Sequence, residues 1–187
     1  MALTYSNMFP LGEKAPHFTL PDTVSGEKIS LSDTLGEKGL LVIFMCNHCP
    51  YVQHLLDPLV DLIKKYQAKG VGCVAISSND IATYPADAPD MMAETAQKHQ
   101  FSFPYLLDET QEVAKSYQAA CTPDFYLFDA NQCCVYRGRF DDSSPKKDVP
   151  VTGEDLIQAL EALLAGTAIP EEKQRPSMGC NIKWLQD

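Results

Sequence analysis

The sequence predicts a single α/β domain, a central mixed sheet flanked by helices, on three observations. Leu40-Leu41-Val42-Ile43-Phe44-Met45 is an unbroken apolar run, and Val71-Gly72-Cys73-Val74-Ala75-Ile76 reads the same way. Runs without polar alternation mark strands buried on both faces of a sheet. Between them Val52, Leu55, Leu56, Leu59, Leu62, Ile63 and Tyr66 recur at helical spacing, so the three segments make a βαβ unit.

The elements follow in order. Residues 40–45 are the central strand. The helix after it ends in a basic turn, Lys64, Lys65 and Lys69, and is stopped by Gly70. Pro58 inside that helix removes a backbone donor and bends it. Ser77 to Pro89, holding Pro85 and Pro89, reads as a loop-like insertion rather than a domain boundary. Asp108 to Ala120 is a short helix with weak apolar spacing at Val113 and Tyr117, and it stops before Pro123. Strands over Asp124 to Phe128 and Cys133 to Arg139 flank the turn-rich Asp129-Ala130-Asn131-Gln132, an antiparallel hairpin. In the last helix Thr152 and Asp155 form a capping box, Leu156, Leu160, Leu163 and Leu164 share a face, and Gly166 closes it.

No repeat, low-complexity run or linker divides residues 1–187, so they read as one domain with its core over about 9–166. The tail over 167–187 is rich in Pro and charge but ends in Gly179-Cys180-Asn181-Ile182-Lys183-Trp184. A tail that carries the only Trp near its end is expected to dock.

Composition narrows the function. Fifteen basic and 25 acidic side chains leave a net charge of −10, with no cationic field for a phosphate backbone or an anionic bilayer. Nucleic-acid and membrane partners are therefore not expected. Met1 to Leu11 lacks a basic segment followed by an apolar one, and no stretch approaches the ~20 apolar residues of a membrane span. Seven cysteines, an odd number, argue against a closed framework of structural disulfides. The expectation is an unexported protein in a reducing cytoplasm, with some thiols kept for chemistry and others, such as Cys73, filling the core.

The chemistry centres on Cys46-Asn47-His48-Cys49, a C-x-x-C between the central strand and its helix. A helix N-terminus stabilises an anion, so Cys46 is expected to become the attacking thiolate. Cys49, one helical step on, is the resolving thiol that attacks the mixed disulfide. Pro50 suits the first helical turn and implies that the regular helix starts nearer Asn47 than Cys46. His48 either favours the Cys46 thiolate, making the pair more oxidising, or is a plain exposed residue at the helix start. Half of a zinc site is another reading of the motif, but the adjacent Cys133-Cys134 is not a second C-x-x-C. His54 either reaches the site or is an ordinary helix residue.

The chain resembles the thioredoxin superfamily, in the redoxin branch with AhpC/TSA-type and TlpA-like proteins, over roughly residues 9–166. Ala15-Pro16-His17-Phe18-Thr19-Leu20 is like that branch's A-P-x-F-x-L opening, Cys46 to Pro50 follows the central strand, and Thr122-Pro123 corresponds to the proline opposite the cysteines. CNHCPYV, ACTPDF and GCNIKW together resemble a narrower group of bacterial thioredoxin-like proteins. The resemblance implies a thioredoxin-like fold with an N-terminal strand extension and an insertion before the cis-proline loop. It also implies that Pro123 is cis and that the Thr122 backbone is exposed for strand-like pairing with a substrate chain beside Cys46. Cys121, next to that loop, is a third redox thiol or a packing residue; Cys180 in the tail is a further resolving thiol or silent.

The sequence departs from the family's patterns in two ways. The buried acid that thioredoxins carry six residues before the first Cys falls on Leu40, so the usual base is missing. The peroxiredoxin P-x-x-x-T/S-x-x-C aligns Val42 with the Pro, Cys46 with the Thr/Ser and Cys49 with the peroxidatic Cys, which does not support peroxide-binding geometry. Arg137 and Arg139 serve an anion or, more simply, surface pairing. The expected function is a thiol–disulfide oxidoreductase without metal or cofactor. Its partners would be a protein or small-molecule disulfide and a thiol reductant. Alternatives are a thiol-dependent peroxidase using Cys49 or Cys46, or a metal-binding or metallochaperone module using Cys46, Cys49 and His54 or Cys121.

Overall fold

A computed structural model describes residues 3–186. The chain runs β1 (Leu3–Tyr5), β2 (Thr19–Pro21), β3 (Lys28–Ser30), α1 (Leu31–Thr34), β4 (Gly39–Phe44), α2 (Pro50–Gln67), β5 (Val71–Ser77), a 3-10 turn (Pro85–Asp87), α3 (Pro89–Lys98) and β6 (Tyr105–Leu107). It continues through α4 (Glu112–Ser116), β7 (Cys121–Thr122), β8 (Asp124–Asp129), β9 (Cys134–Gly138), α5 (Glu154–Ala165), a second 3-10 turn (Glu171–Lys173) and β10 (Met178–Asn181).

The main sheet has the order β6-β5-β4-β8-β9. Its middle strand β4 is buried at all six positions, parallel to β5 and antiparallel to β8, so the expected mixed sheet forms. Strand residues alternate between faces. Leu41 and Ile43 meet Val52, Leu59 and Ile63 of α2 and Leu156 and Leu160 of α5. Leu40, Val42 and Phe44 meet Phe9, Phe18, Tyr117, Tyr126 and Phe128 on the other side. Burying each such side chain contributes about 1.5–3 kcal/mol before ordering costs, which is why the all-apolar strand takes the centre.

Several segments differ from the sequence reading. The 77–89 stretch is not a plain loop: Asp80 accepts the N–H groups of Ala82 and Thr83, and the prolines open a 3-10 turn and α3. The helix expected over 108–120 is confined to α4, because Gln111 is left-handed at φ 64° and the buried Asp108 carboxylate accepts the Ala114 N–H as a cap. Thr152 and Asp155 form no capping box. Gly153, at φ 68°, is the N-cap of α5, the Asp141 carboxylate accepts the Thr152 and Gly153 N–H groups, and Asp155 instead pairs with Arg139. Arg137 is not a surface residue: it is buried and bonds Gln174 and Glu171, tying β9 to the tail.

The tail docks, as expected, but as part of a sheet. β10 lies antiparallel between β1 and β7, making a three-stranded sheet of the order β1-β10-β7. Ile182 N–H then reaches Ala120 O and Leu185 N–H reaches Gln111 Oε1. Among the described residues no helix is long and apolar enough to cross a membrane.

Candidate active site

The turn from β4 to α2 carries the C-x-x-C. Met45 N–H still bonds Ile76 O, after which Cys46, Asn47 and His48 leave the sheet and Cys49 caps the helix. The helix begins at Pro50, so its N-terminus belongs to Cys49, and the lowering expected at Cys46 does not occur. Contact with the Cys49 sulfur, then burial, then the nearby Asp87 charge hold the Cys46 thiol well up. The Cys49 thiol is pushed down, first by the Cys46 donor and then by Thr122 and Cys180, against the opposing effect of burial. In the reduced closed site the surroundings favour the charged form at Cys49 over Cys46. When protonated, the Cys49 S–H donates to Thr122 O at 3.2 Å, and Cys46 Sγ lies 3.6 Å from Thr122 Oγ1. Both cysteines are buried.

An acid not expected from the sequence completes the site. Asp87, fully buried in the 3-10 turn, accepts the Asn47 N–H (2.8 Å) and His48 N–H (3.2 Å) on Oδ1. Its Oδ2 meets His48 Nδ1 at 2.5 Å and accepts from Asn79 Nδ2 at 2.8 Å. His48 stacks on Tyr84 with ring centroids 5.3 Å apart. A carboxylate on Nδ1 fixes ring orientation and leaves Nε2 for chemistry. That Nε2 is buried and has no hydrogen-bond partner among the described residues. No spacing rule links two residues 39 apart, though Pro85-Ala86-Asp87-Ala88-Pro89 does place one acid in a chain segment stiffened on both sides.

The Thr122–Pro123 peptide is cis, as the resemblance implied. The open edge expected at Thr122 is absent: Thr122 is buried, and Cys180 of β10 pairs with it across the ladder. The chain's own tail thus takes the place foreseen for a substrate strand. Gly179 permits the approach, because a Cβ there would lie 1.9 Å from Thr122 O. Tail and acid are also joined, since Lys183 N–H donates to Asn79 Oδ1 while Asn79 Nδ2 holds Asp87. Cys121 is buried with its thiol toward Pro123 O at 3.9 Å, and burial pushes that thiol far up. His54 bonds Ser143 Oγ rather than the pair. A cleft of about 230 Å³ beside Pro123 is lined by Tyr5, Tyr51, His54, Phe125 and Met178, among others, but not by Cys46 or Cys49.

Cys46 Sγ, a His48 ring nitrogen and an Asp87 oxygen lie within 4.8 Å of one another, the one such donor group among the described residues. Every Asp87 oxygen is already bonded to N–H donors or to the His48 ring, so the set reads as an orienting network rather than an open ligand shell.

Known proteins share this arrangement of the chain. It superposes on the crystal structure of an uncharacterized conserved protein from Geobacillus kaustophilus with a TM-score of 0.97 and 51% identity, over 100% of this chain and 98% of that one. Against peroxidoxin BcpB from Mycobacterium tuberculosis the TM-score is 0.63 at 19% identity, over 84% and 97% of the two chains, which shows a shared fold. In sequence it is 26% identical over 168 residues to the thiol-disulfide oxidoreductase ResA of Geobacillus thermodenitrificans, covering 85% of this chain and 84% of that protein. The AhpC/TSA family matches residues 11–137, a span that holds both cysteines, Asp87 and the cis-proline. With most of the chain matched and a thioredoxin-like architecture around the pair, the protein belongs to the AhpC/TSA family, in the redoxin branch of the thioredoxin superfamily.

Proposed function

We propose that the protein is a thiol–disulfide oxidoreductase whose working couple is Cys46 and Cys49. The observation that carries this reading is the placement of two sulfurs in contact under Thr122, with the His48–Asp87 pair beside Cys46. A thiol held protonated needs a base, and an imidazole oriented by a carboxylate is the usual solution. His48 takes the Cys46 proton as Cys46 attacks a disulfide, forming a mixed disulfide and releasing the first substrate thiolate, which is protonated. Cys49, whose charged form its neighbours favour, then attacks the Cys46 sulfur and releases the second. The substrate disulfide ends as two thiols and the pair as one disulfide, which a thiol reductant of the cell reopens. The substrate is a protein or small-molecule disulfide, and Pro123 borders its place.

Asp87 supplies the acid that Leu40 does not, from a different element. The metal reading loses support because the one mixed donor group is consumed by internal hydrogen bonds. Stopped-flow oxidation of the reduced protein separates the remaining alternative. Faster reaction with a disulfide than with hydrogen peroxide supports the oxidoreductase; the reverse order points to a peroxidase.

A further inference from the structure

Cys180 differs from the other cysteines outside the pair. Cys73 and Cys134 are buried in the main sheet, Cys133 sits on the hairpin turn, and the Cys121 thiol turns to Pro123 O. Cys180 instead lies directly across the ladder from Thr122, the residue whose carbonyl receives the Cys49 S–H and whose hydroxyl faces Cys46. Both its thiol and its backbone favour the charged form of Cys49, while Cys49 in turn holds the Cys180 thiol up. The position is held from two sides, by β1 and β7, and the glycine before it lets the backbones close. A thiol placed this way is a built contact rather than a passing one.

We propose that Cys180 is the third member of the redox centre, exchanging into the Cys46–Cys49 disulfide to give a Cys49–Cys180 disulfide. This rests on the reading of Cys46 and Cys49 as the working couple. The Cys180 sulfur attacks the Cys49 sulfur; a Cys49–Cys180 bond forms, the Cys46–Cys49 bond breaks, and its electron pair leaves on Cys46. The proton lost by Cys180 ends on Cys46, so one disulfide and one thiol remain one disulfide and one thiol. The two oxidising equivalents are those already taken from the substrate disulfide. In the reduced protein burial and the neighbouring Cys49 hold the Cys180 thiol up, and the second of these causes vanishes once Cys49 is in a disulfide. The exchange returns Cys46 as a thiol beside His48 and fastens β10 covalently over the site.

The test equilibrates full-length protein in glutathione redox buffers, alkylates it, digests it with trypsin and maps linked peptides by mass spectrometry. Cys46 and Cys49 share one tryptic peptide and Cys180 lies in another, so the new disulfide joins two peptides. In Cys46→Ser protein the joined peptides are expected to appear as one two-electron couple. In Cys180→Ser protein they vanish while the Cys46–Cys49 disulfide persists. With both disulfides comparably populated, the wild-type oxidation constant exceeds that of Cys180→Ser about twofold. If Cys180 of the Cys46→Ser protein stays alkylatable in every buffer that oxidises the wild-type pair, the inference is overturned. If instead neither the wild type nor Cys180→Ser forms the Cys46–Cys49 disulfide, the working-couple reading falls, and this inference with it.

Discussion

The main sheet and the small sheet meet at Thr122 and Pro123 but are held by different physics. In the main sheet β4 is buried throughout, and its faces are closed by two apolar clusters. The small sheet joins β1 and β10 to the two-residue β7, and its outer strand leaves Leu3 52% and Tyr5 58% exposed. It is held instead by short ladders, by Gly179 against Thr122 and by polar anchors such as Asn79 and Gln111. Segments with few apolar contacts open at lower free energy than the core. Cys46 and Cys49 are buried in the closed protein, and if a substrate reaches them by opening of one sheet, the proposed function places that opening in the small one.

The largest effect expected is on the scaffold. Phe44→Ala removes a fully buried ring from β4 and should cost about 3–5 kcal/mol in urea unfolding. A loss under 1 kcal/mol would mean that the main sheet is not the stable half.

The next effect is chemical. Asp87→Asn unties His48 and should lower disulfide turnover about 10²-fold or more, the range of a general base. Because the Asp87 charge helps hold the Cys46 thiol up, the same variant should begin to alkylate at Cys46 at lower pH than wild type. Reduced turnover with an unmoved alkylation profile would make Asp87 a purely structural residue.

Asp124 gives the seam its own pH dependence. It is fully buried at the start of β8, bonded by Tyr126 OH, with Ser6 and Ser177 of the small sheet's flanks favouring its charged form, yet burial raises it to about 7. Below about pH 4 folded and unfolded states both hold its proton. Between about 4 and about 7 the unfolded chain releases that proton while the folded protein keeps it, so stability falls as pH rises; above about 7 the contribution levels off. The fall should be on the order of a few kcal/mol and should be absent from Asp124→Asn, so that the difference between the wild-type and variant curves shows it in denaturation from pH 4 to 8. A parallel pair of curves contradicts this assignment.

The smallest global effect falls on the small sheet. Gly179→Ala drives a methyl into Thr122 O and should cost about 1–3 kcal/mol, while Cys46 and Cys49 alkylate at least about tenfold faster as β10 lifts. Unchanged thiol reactivity would show that access does not run through β10.

These contrasts also explain what the sequence reveals. A continuous apolar run fits only the middle of a sheet, so 40–45 anticipates β4 within one residue. Two cysteines at a strand-to-helix turn lie three residues apart and need no long-range knowledge. Thr122-Pro123 is legible only through family resemblance. Asp87, the buried Arg137 and the seat of Cys180 depend on contacts between remote segments, and in each case residue type alone suggests a surface or silent role. The error at Cys46 is one of register: moving the helix start from Asn47 to Pro50 transfers the favourable end to Cys49. Thr152 and Asp155 have the right spacing for a cap, but Asp141 takes the Thr152 and Gly153 N–H groups from the preceding loop and Asp155 pairs with Arg139.

The most direct test of the central claim is alkylation trapping of metal-stripped wild-type protein across glutathione redox buffers, read by peptide mass spectrometry. The account predicts that Cys46 and Cys49 lose reactivity together as one two-electron couple. Both remaining thiols across the whole range, or becoming protected only when metal is restored, would contradict it.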